Sequence, residues 1–566
     1  MTHEERTYWQ KLNSRPLSRR RTIQGIGLAG AGLSAAALVG CGDDDATSGG
    51  GPATPVATQN ISGTAVASPT SAVQAKKGGH LTAAIGAEPR SLDFHFDVFV
   101  PVAAHTNNAL LKFNAEATQI GTDLAVALPE QPDPLTYVFK LTPGVKFQNI
   151  EPVNGRAITS KDVKFSIERQ IIDEAGKYQH AYFFRGKIDR IETPDDNTVV
   201  FKMTKKFAPF LAYIANAWSL ITAPEIVSKF GDLTKNAIGT GPFIFKEWQP
   251  SVKMELVKNP DYFKKDRPYL DALTYLIVPD ADVQATLFID KKTDIISATA
   301  TQLNRLKDGR KDAIYKAQPQ QGMQIMRMPP TIPGTQAYSG NYADPRIRQA
   351  IVSAINKKEV YDLVYNGQAI PAFGPVPPAY NAWALKEDPA GFDLKKAADL
   401  MKAAGLEGGF TEKFIWATFT QTDQAAEVIK QQLAKIKVNL DLTPMELAAY
   451  YNLIYTYKYA MSYHTTTSTP DPDEALSAYY GKTSTYYKYD GSKNGIWDAI
   501  DKQSEELDPK LRKVLTDDVQ KKITQEYPVS FLFSVLLQQF VDPKVQNWGY
   551  SIDGYNIRVE DMWFKT

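Results

Sequence analysis

The chain has 566 residues, 43% of them hydrophobic and 22% charged, with a formal net charge of +1. This is more sequence than one ordinary core uses, so two or more lobes are expected, and the composition excludes a disordered chain. Residues 1–40 carry six basic side chains (Arg6, Lys11, Arg15, Arg19, Arg20, Arg21) against two acidic ones (Glu4, Glu5). The remaining body is near neutral and lacks the basic field that nucleic acid as a main partner requires.

Ser18-Arg19-Arg20-Arg21 precedes an uncharged, small-residue stretch, Thr22 to Gly40, that ends in Leu38-Val39-Gly40-Cys41. A basic start, an apolar middle and a small-residue processing site describe an export signal rather than a membrane anchor. The arginines resemble a twin-arginine signal, and Leu-Val-Gly-Cys resembles a bacterial lipobox, in which the cysteine is acylated and becomes the first residue of the mature chain. Cys41 is the only cysteine, so no intramolecular disulfide is expected. Residues 42 to about 77 are rich in Gly, Ser, Thr, Ala and Pro and read as a flexible tether with a reach of ~30–36 Å.

The folded part starts near Gly79. Leu81–Ile85 and Thr136–Leu141 read as strands. Ser160–Ile172 reads as a helix with Val163, Ile167 and Ile171 on one face and Thr159 or Ser160 as cap. Thr198–Met203 reads as a strand after the turn Pro194-Asp195-Asp196-Asn197. Asp344-Pro345 caps a helix through Ile355, and Asn356 with Glu359 forms a capping box for the next. A helix from Gln424 to Lys435 feeds the alternating strand Val438–Leu442. The apolar run Val529–Val541 suits buried strands. Strands interspersed with helices throughout indicate an α/β body.

Several motifs occur in one order. Gly79-His80-Leu81-Thr82 leads to Glu88-Pro89-Arg90-Ser91-Leu92-Asp93. Gly144-Val145-Lys146-Phe147 leads to Asp162-Val163-Lys164-Phe165-Ser166. Gly239-Thr240-Gly241-Pro242-Phe243, Asn259-Pro260-Asp261-Tyr262-Phe263, Asp344-Pro345-Arg346-Ile347-Arg348-Gln349-Ala350-Ile351 and Gly374-Pro375-Val376-Pro377-Pro378 follow. From about Gly78 onward the chain resembles the family 5 extracellular solute-binding proteins of ABC importers, the group with oligopeptide-, dipeptide- and nickel-binding members. The resemblance implies a type II periplasmic-binding-protein-like fold (class C), with three domains in two lobes joined by a hinge. It places domain I at 78–121, 236–325 and 525–566, domain II at 122–235 and domain III at 326–524. It also implies a monomeric receptor, anchored to the membrane by its acylated cysteine outside the cytoplasm. That receptor passes a peptide or other small polar ligand to the permease subunits of an importer.

No motif with a catalytic mechanism is present: there is no Gly-x-Ser-x-Gly elbow and no His-Glu-x-x-His. A binding receptor is therefore expected over the alternative, a secreted lipid-anchored hydrolase, and no cofactor is expected. His80, His95, His105, His180 and His464 show no metal-binding spacing. Pro470-Asp471-Pro472-Asp473-Glu474 reads as a helix start, with Asp471 as N-cap, Pro472 at N1 and Glu474 at N3.

The expected ligand residues are Trp416, at the end of a strand, and Tyr463, His464, Thr466 and Ser468 in a loop before that helix. Glu88, Tyr182 and Trp218 face them from the other lobe. Strand ends at an interlobe crevice are where open α/β sheets bind ligands, and aromatic faces supply buried area. By the resemblance, Ser468 stands where peptide-binding members carry an aspartate for the peptide's amino terminus. The tyrosine-dense stretch from Tyr450 to Tyr489 then suggests a neutral polar ligand, an oligosaccharide among them.

Overall fold

A computed structural model describes residues 75–566, apart from 97–100, 115–116, 173–177, 179, 329–330, 333–336, 339, 390, 419, 457, 460, 467–468, 485–490, 493, 550–558 and 566. The expected export signal, Cys41, most of the tether and Ser468 lie outside the described residues.

The fold is α/β around a mixed twelve-stranded sheet. In the first lobe the strand His80–Ile85 pairs in parallel with Ala272–Ile277 and Ile295–Ala298. The antiparallel strands Lys253–Lys258 and Phe243–Gln249 complete that edge. In the second lobe Phe410–Ala417 pairs in parallel with Val438–Met445 and Met461–Thr466. A separate antiparallel sheet of four strands, within Glu130–Met203, belongs to the first lobe. Its strand Thr198–Met203 buries alternate residues, including Val199, Phe201 and Met203, against the helix Ser160–Ile171. Each such side chain contributes roughly 1.5–3 kcal/mol by leaving water. Thr159 and Asp162 form the capping box of that helix.

One strand, Val529–Val541, runs through both lobes. Its C-terminal half lies between Ile295–Ala298 and Ile314–Pro319. Its N-terminal half lies between Met323–Arg327 and Ala369–Pro371. The chain therefore crosses between lobes twice at one level, at 320–322 and at 534–536, in adjacent antiparallel segments. The expected boundary at 325 falls inside the strand Met323–Arg327, just beyond the first crossing. The one at 525 falls near the end of the helix Pro509–Glu526, before the strand that makes the second. Composition is continuous through both crossings, so it does not mark them.

The helix ends follow local chemistry. Asp344 accepts from the Arg346 N–H at the start of Pro345–Ser353, and Asn356 accepts from Glu359 N–H at the start of Lys357–Tyr365. The helix expected from Gln424 begins earlier, at Thr420, and ends at Ala434.

Candidate ligand site between the lobes

The lobes meet where the segment after Thr469 enters the first lobe. Ala475 packs in the same apolar cluster as Phe183, Tyr213 and Trp218. Pro472 opens a helical turn capped by Asp471, whose carboxylate accepts from Asp473 N–H at 2.9 Å. The turn widens to a π-helix at Glu474–Ala478, a geometry frequent at functional sites.

Three carboxylates in this segment have different partners. Asp471 forms a bidentate pair with Arg512, both side chains fully buried. Asp473 accepts from Tyr213 Oη at 2.8 Å, from Ser477 and from Gln503, with Lys187 Nζ at 3.9 Å. Glu474 does not reach back to the cap. Its Oε1 accepts from Tyr182 Oη at 2.5 Å, and its Oε2 accepts from Thr469 N–H. Burial pushes the Glu474 carboxyl up to about 7, and Asp473 adds to this against the opposing hydrogen bonds. His180 Nε2 lies 3.9 Å from Glu474 Oε1, and its ring stacks on Trp218 at 3.7 Å and 19°. Burial pulls the imidazole down to about 3, so it is neutral near pH 7.

The expected residues divide into three groups. Tyr182 and Trp218 stand in this lobe contact: Tyr182 is half-buried between the two lobes' clusters, and Trp218 backs His180. Glu88 lies elsewhere in the first lobe. It accepts from Ser251 N–H at 3.1 Å and Trp248 Nε1 at 2.9 Å, and these bonds hold its carboxyl below the usual range. The remaining described residues are packed in the second lobe. Trp416 is buried, and its Nε1 donates to Asp423 at 2.6 Å.

The expected loop from Tyr463 is instead the central strand Met461–Thr466, which pairs on both sides. Strand alternation then decides each side chain. Tyr463 points into the cluster of Phe414 and Trp416. His464 faces the other way, sharing a 2.8 Å hydrogen bond with Tyr450, and burial with the nearby Arg327 charge holds it well below its ordinary value. Thr466 donates to the Met323 carbonyl at 3.3 Å. It lines a cavity of about 10 Å³ with Met323, Pro375, Ala475, Tyr479, Tyr480 and Phe531. Tyr450, Tyr459, Tyr479 and Tyr480 are buried in one cluster, so much of the tyrosine density is packing. A larger cavity, about 50 Å³, lies in the first lobe, lined among others by Lys112, Asp123 and Glu560. These charges are paired: Lys112 with Glu560 at 2.5 Å, and Asp123 with the neighbouring Lys264 at 2.7 Å.

In the sequence Glu474 reads only as a helix-start residue, and His180 carries no expected place in the site. Their signal was an acidic residue beyond the Asp471-Pro472-Asp473 cap and a histidine two positions before an expected site tyrosine.

The profile of the bacterial extracellular solute-binding proteins, family 5, middle region, matches residues 119–487. The chain belongs to this family of extracytoplasmic solute-binding receptors, which bind rather than transform their ligands. It is 27% identical over 317 residues to the glutathione-binding protein of Pectobacterium atrosepticum, covering 56% of this chain and 59% of that relative. The match thus spans less than two thirds of that relative's length. It is 29% identical over 374 residues to the dipeptide-binding protein of Escherichia coli, covering 61% of this chain and 66% of the relative. The ABC transporter-associated periplasmic binding protein DppA from Helicobacter pylori, solved with the peptide STSA, matches with a TM-score of 0.76 at 25% identity. That match covers 87% of this chain and 99% of the other.

Proposed function

We propose that the chain is a lipid-anchored receptor that captures a peptide or another small polar ligand between its lobes and presents it to an ABC importer. The observation that carries this reading is the pair of tyrosine–carboxylate bonds across the lobe contact, Tyr182 to Glu474 and Tyr213 to Asp473. Both join side chains of different lobes, so both part if the lobes separate. The adjacent crossings at 320–322 and 534–536 are the proposed hinge, and closure about them sequesters the ligand. Relatives named for glutathione and dipeptides, and one solved with a peptide, make peptides the first class to test. Burial of the tyrosines at 450, 459, 479 and 480 removes much of the support for an oligosaccharide.

Native mass spectrometry of protein purified from its own cells is expected to show a retained small ligand. Small-angle scattering is then expected to show a smaller radius of gyration with that ligand than without it. No retained mass, together with a radius unchanged at saturation by every member of a short-peptide panel, would overturn the receptor reading.

A further inference from the structure

Nine Asp or Glu residues are buried among the described residues: Asp93, Asp123, Asp162, Asp294, Asp471, Asp473, Glu474, Asp542 and Glu560. Eight of them have an Arg or Lys nitrogen within 4 Å. Glu474 is the exception. Among the described residues, its one basic neighbour within that distance is His180, which burial keeps neutral. A buried carboxylate without a counter-charge is costly, and the other eight show how this fold ordinarily avoids that cost.

We infer that Glu474 receives a cationic group of the ligand, an ammonium or a guanidinium, so that the bound ligand supplies the counter-charge that the protein withholds. The inference rests on the receptor reading and specifies its ligand class.

Glu474 stands at the contact of the two lobes, one residue before Ala475, which lines the small cavity there. A carboxylate has about four acceptor sites, and Tyr182 and Thr469 N–H occupy two. The flanking cations are already engaged, Lys187 near Asp473 and Arg512 with Asp471. His180, 4% exposed, leaves Nδ1 with no partner among the described residues, and the Trp218 ring behind it adds an aromatic face of the kind that favours organic cations. The weakened acidity of Glu474, which burial causes, fits a group awaiting a positive partner, since such a partner favours the ionised form. The charge absent at Ser468 is thereby supplied six residues later, and the ligand need not be neutral.

The test uses the full chain with a mixture of synthetic di- to tetrapeptides bearing free amino termini, the same mixture N-acetylated, and two amines, agmatine and spermidine. Retained species are read by native mass spectrometry, and affinities by calorimetry. The wild type is expected to retain members that carry an ammonium or guanidinium and to reject counterparts whose cationic groups are all blocked. Glu474→Gln keeps an acceptor oxygen for Thr469 N–H, places an amide N–H that can donate to Tyr182 Oη, and removes the charge. It is expected to weaken the retained ligand about a hundredfold, with no fall in melting temperature. Glu474→Asp is expected to restore part of that affinity. Retention of acetylated, uncharged peptides with normal compaction would leave the receptor intact and overturn the cation assignment. Equal affinity of wild type and Glu474→Gln would overturn it as well. If no member binds and the radius of gyration never changes, the receptor reading falls with it.

Discussion

Arg512 and Asp471 face each other as a fully buried bidentate pair, with guanidinium nitrogens 2.7 and 2.6 Å from the two carboxylate oxygens. The pair fixes the cap of the helical turn that carries Asp473 and Glu474 into the lobe contact. Arg512→Ala strands a buried carboxylate, which typically costs about 3–5 kcal/mol. Urea unfolding is expected to show that loss; a change below about 1 kcal/mol would mean that Asp471 is not held as the geometry states.

Glu474 sets a pH dependence whose sign can be worked out. Its carboxyl is raised from 4.5 to about 7 in the folded chain, so the folded state binds more protons than the unfolded one across that window. Stability from this group is therefore full below about pH 4.5 and is lost as pH rises through about 7. Glu474→Gln removes the penalty. Its unfolding free energy is expected to exceed the wild type's by about 3 kcal/mol at pH 8 and by less than about 1 kcal/mol at pH 5. A variant less stable than the wild type at pH 8 would contradict the buried, unpaired charge.

Trp416 and Tyr463 share one apolar cluster of the second lobe. Truncating a buried aromatic costs about 3–5 kcal/mol. Trp416→Ala and Tyr463→Ala are expected to lower the melting temperature, whereas Tyr182→Phe, which removes one hydroxyl at the lobe contact, is expected to lower ligand affinity with little effect on melting. Unfolding temperature and affinity measured separately decide between these roles. A Trp416→Ala chain with unchanged melting and lost affinity would return that residue to the ligand site.

On the proposed lipid anchoring, Cys41→Ser is expected to move the mature body from the membrane to the soluble fraction, because acyl chains would supply the membrane affinity. Fractionation at high salt checks this. A variant still pelleting with membranes would show that something other than an acylated cysteine holds it.

Much of the architecture was legible in the sequence because it rests on neighbours along the chain. Thr159, Asp344 and Asn356 cap their helices where hydrogen-bonding side chains precede apolar periodicity. Leu81–Ile85 and Thr198–Met203 are strands because alternating apolar residues end at turns. The ordered motifs gave the family, and the family gave two lobes.

The sequence did not decide what each site candidate faces. Tyr463 and His464 are adjacent, yet strand pairing sends one into a core and the other toward Tyr450 on the opposite face. A one-residue change of register would exchange them, and register is set by the neighbouring strands Met323–Arg327 and Phe410–Ala417, far away in sequence. Glu474 reads locally as a helix-start residue. Only the approach of Tyr182 and His180, 292 and 294 positions earlier, makes it a buried charge between two lobes. Local hydrogen bonding and periodicity are written in contiguous residues. Desolvation and counter-charge depend on which distant segments close over a group, and the tertiary structure decides that.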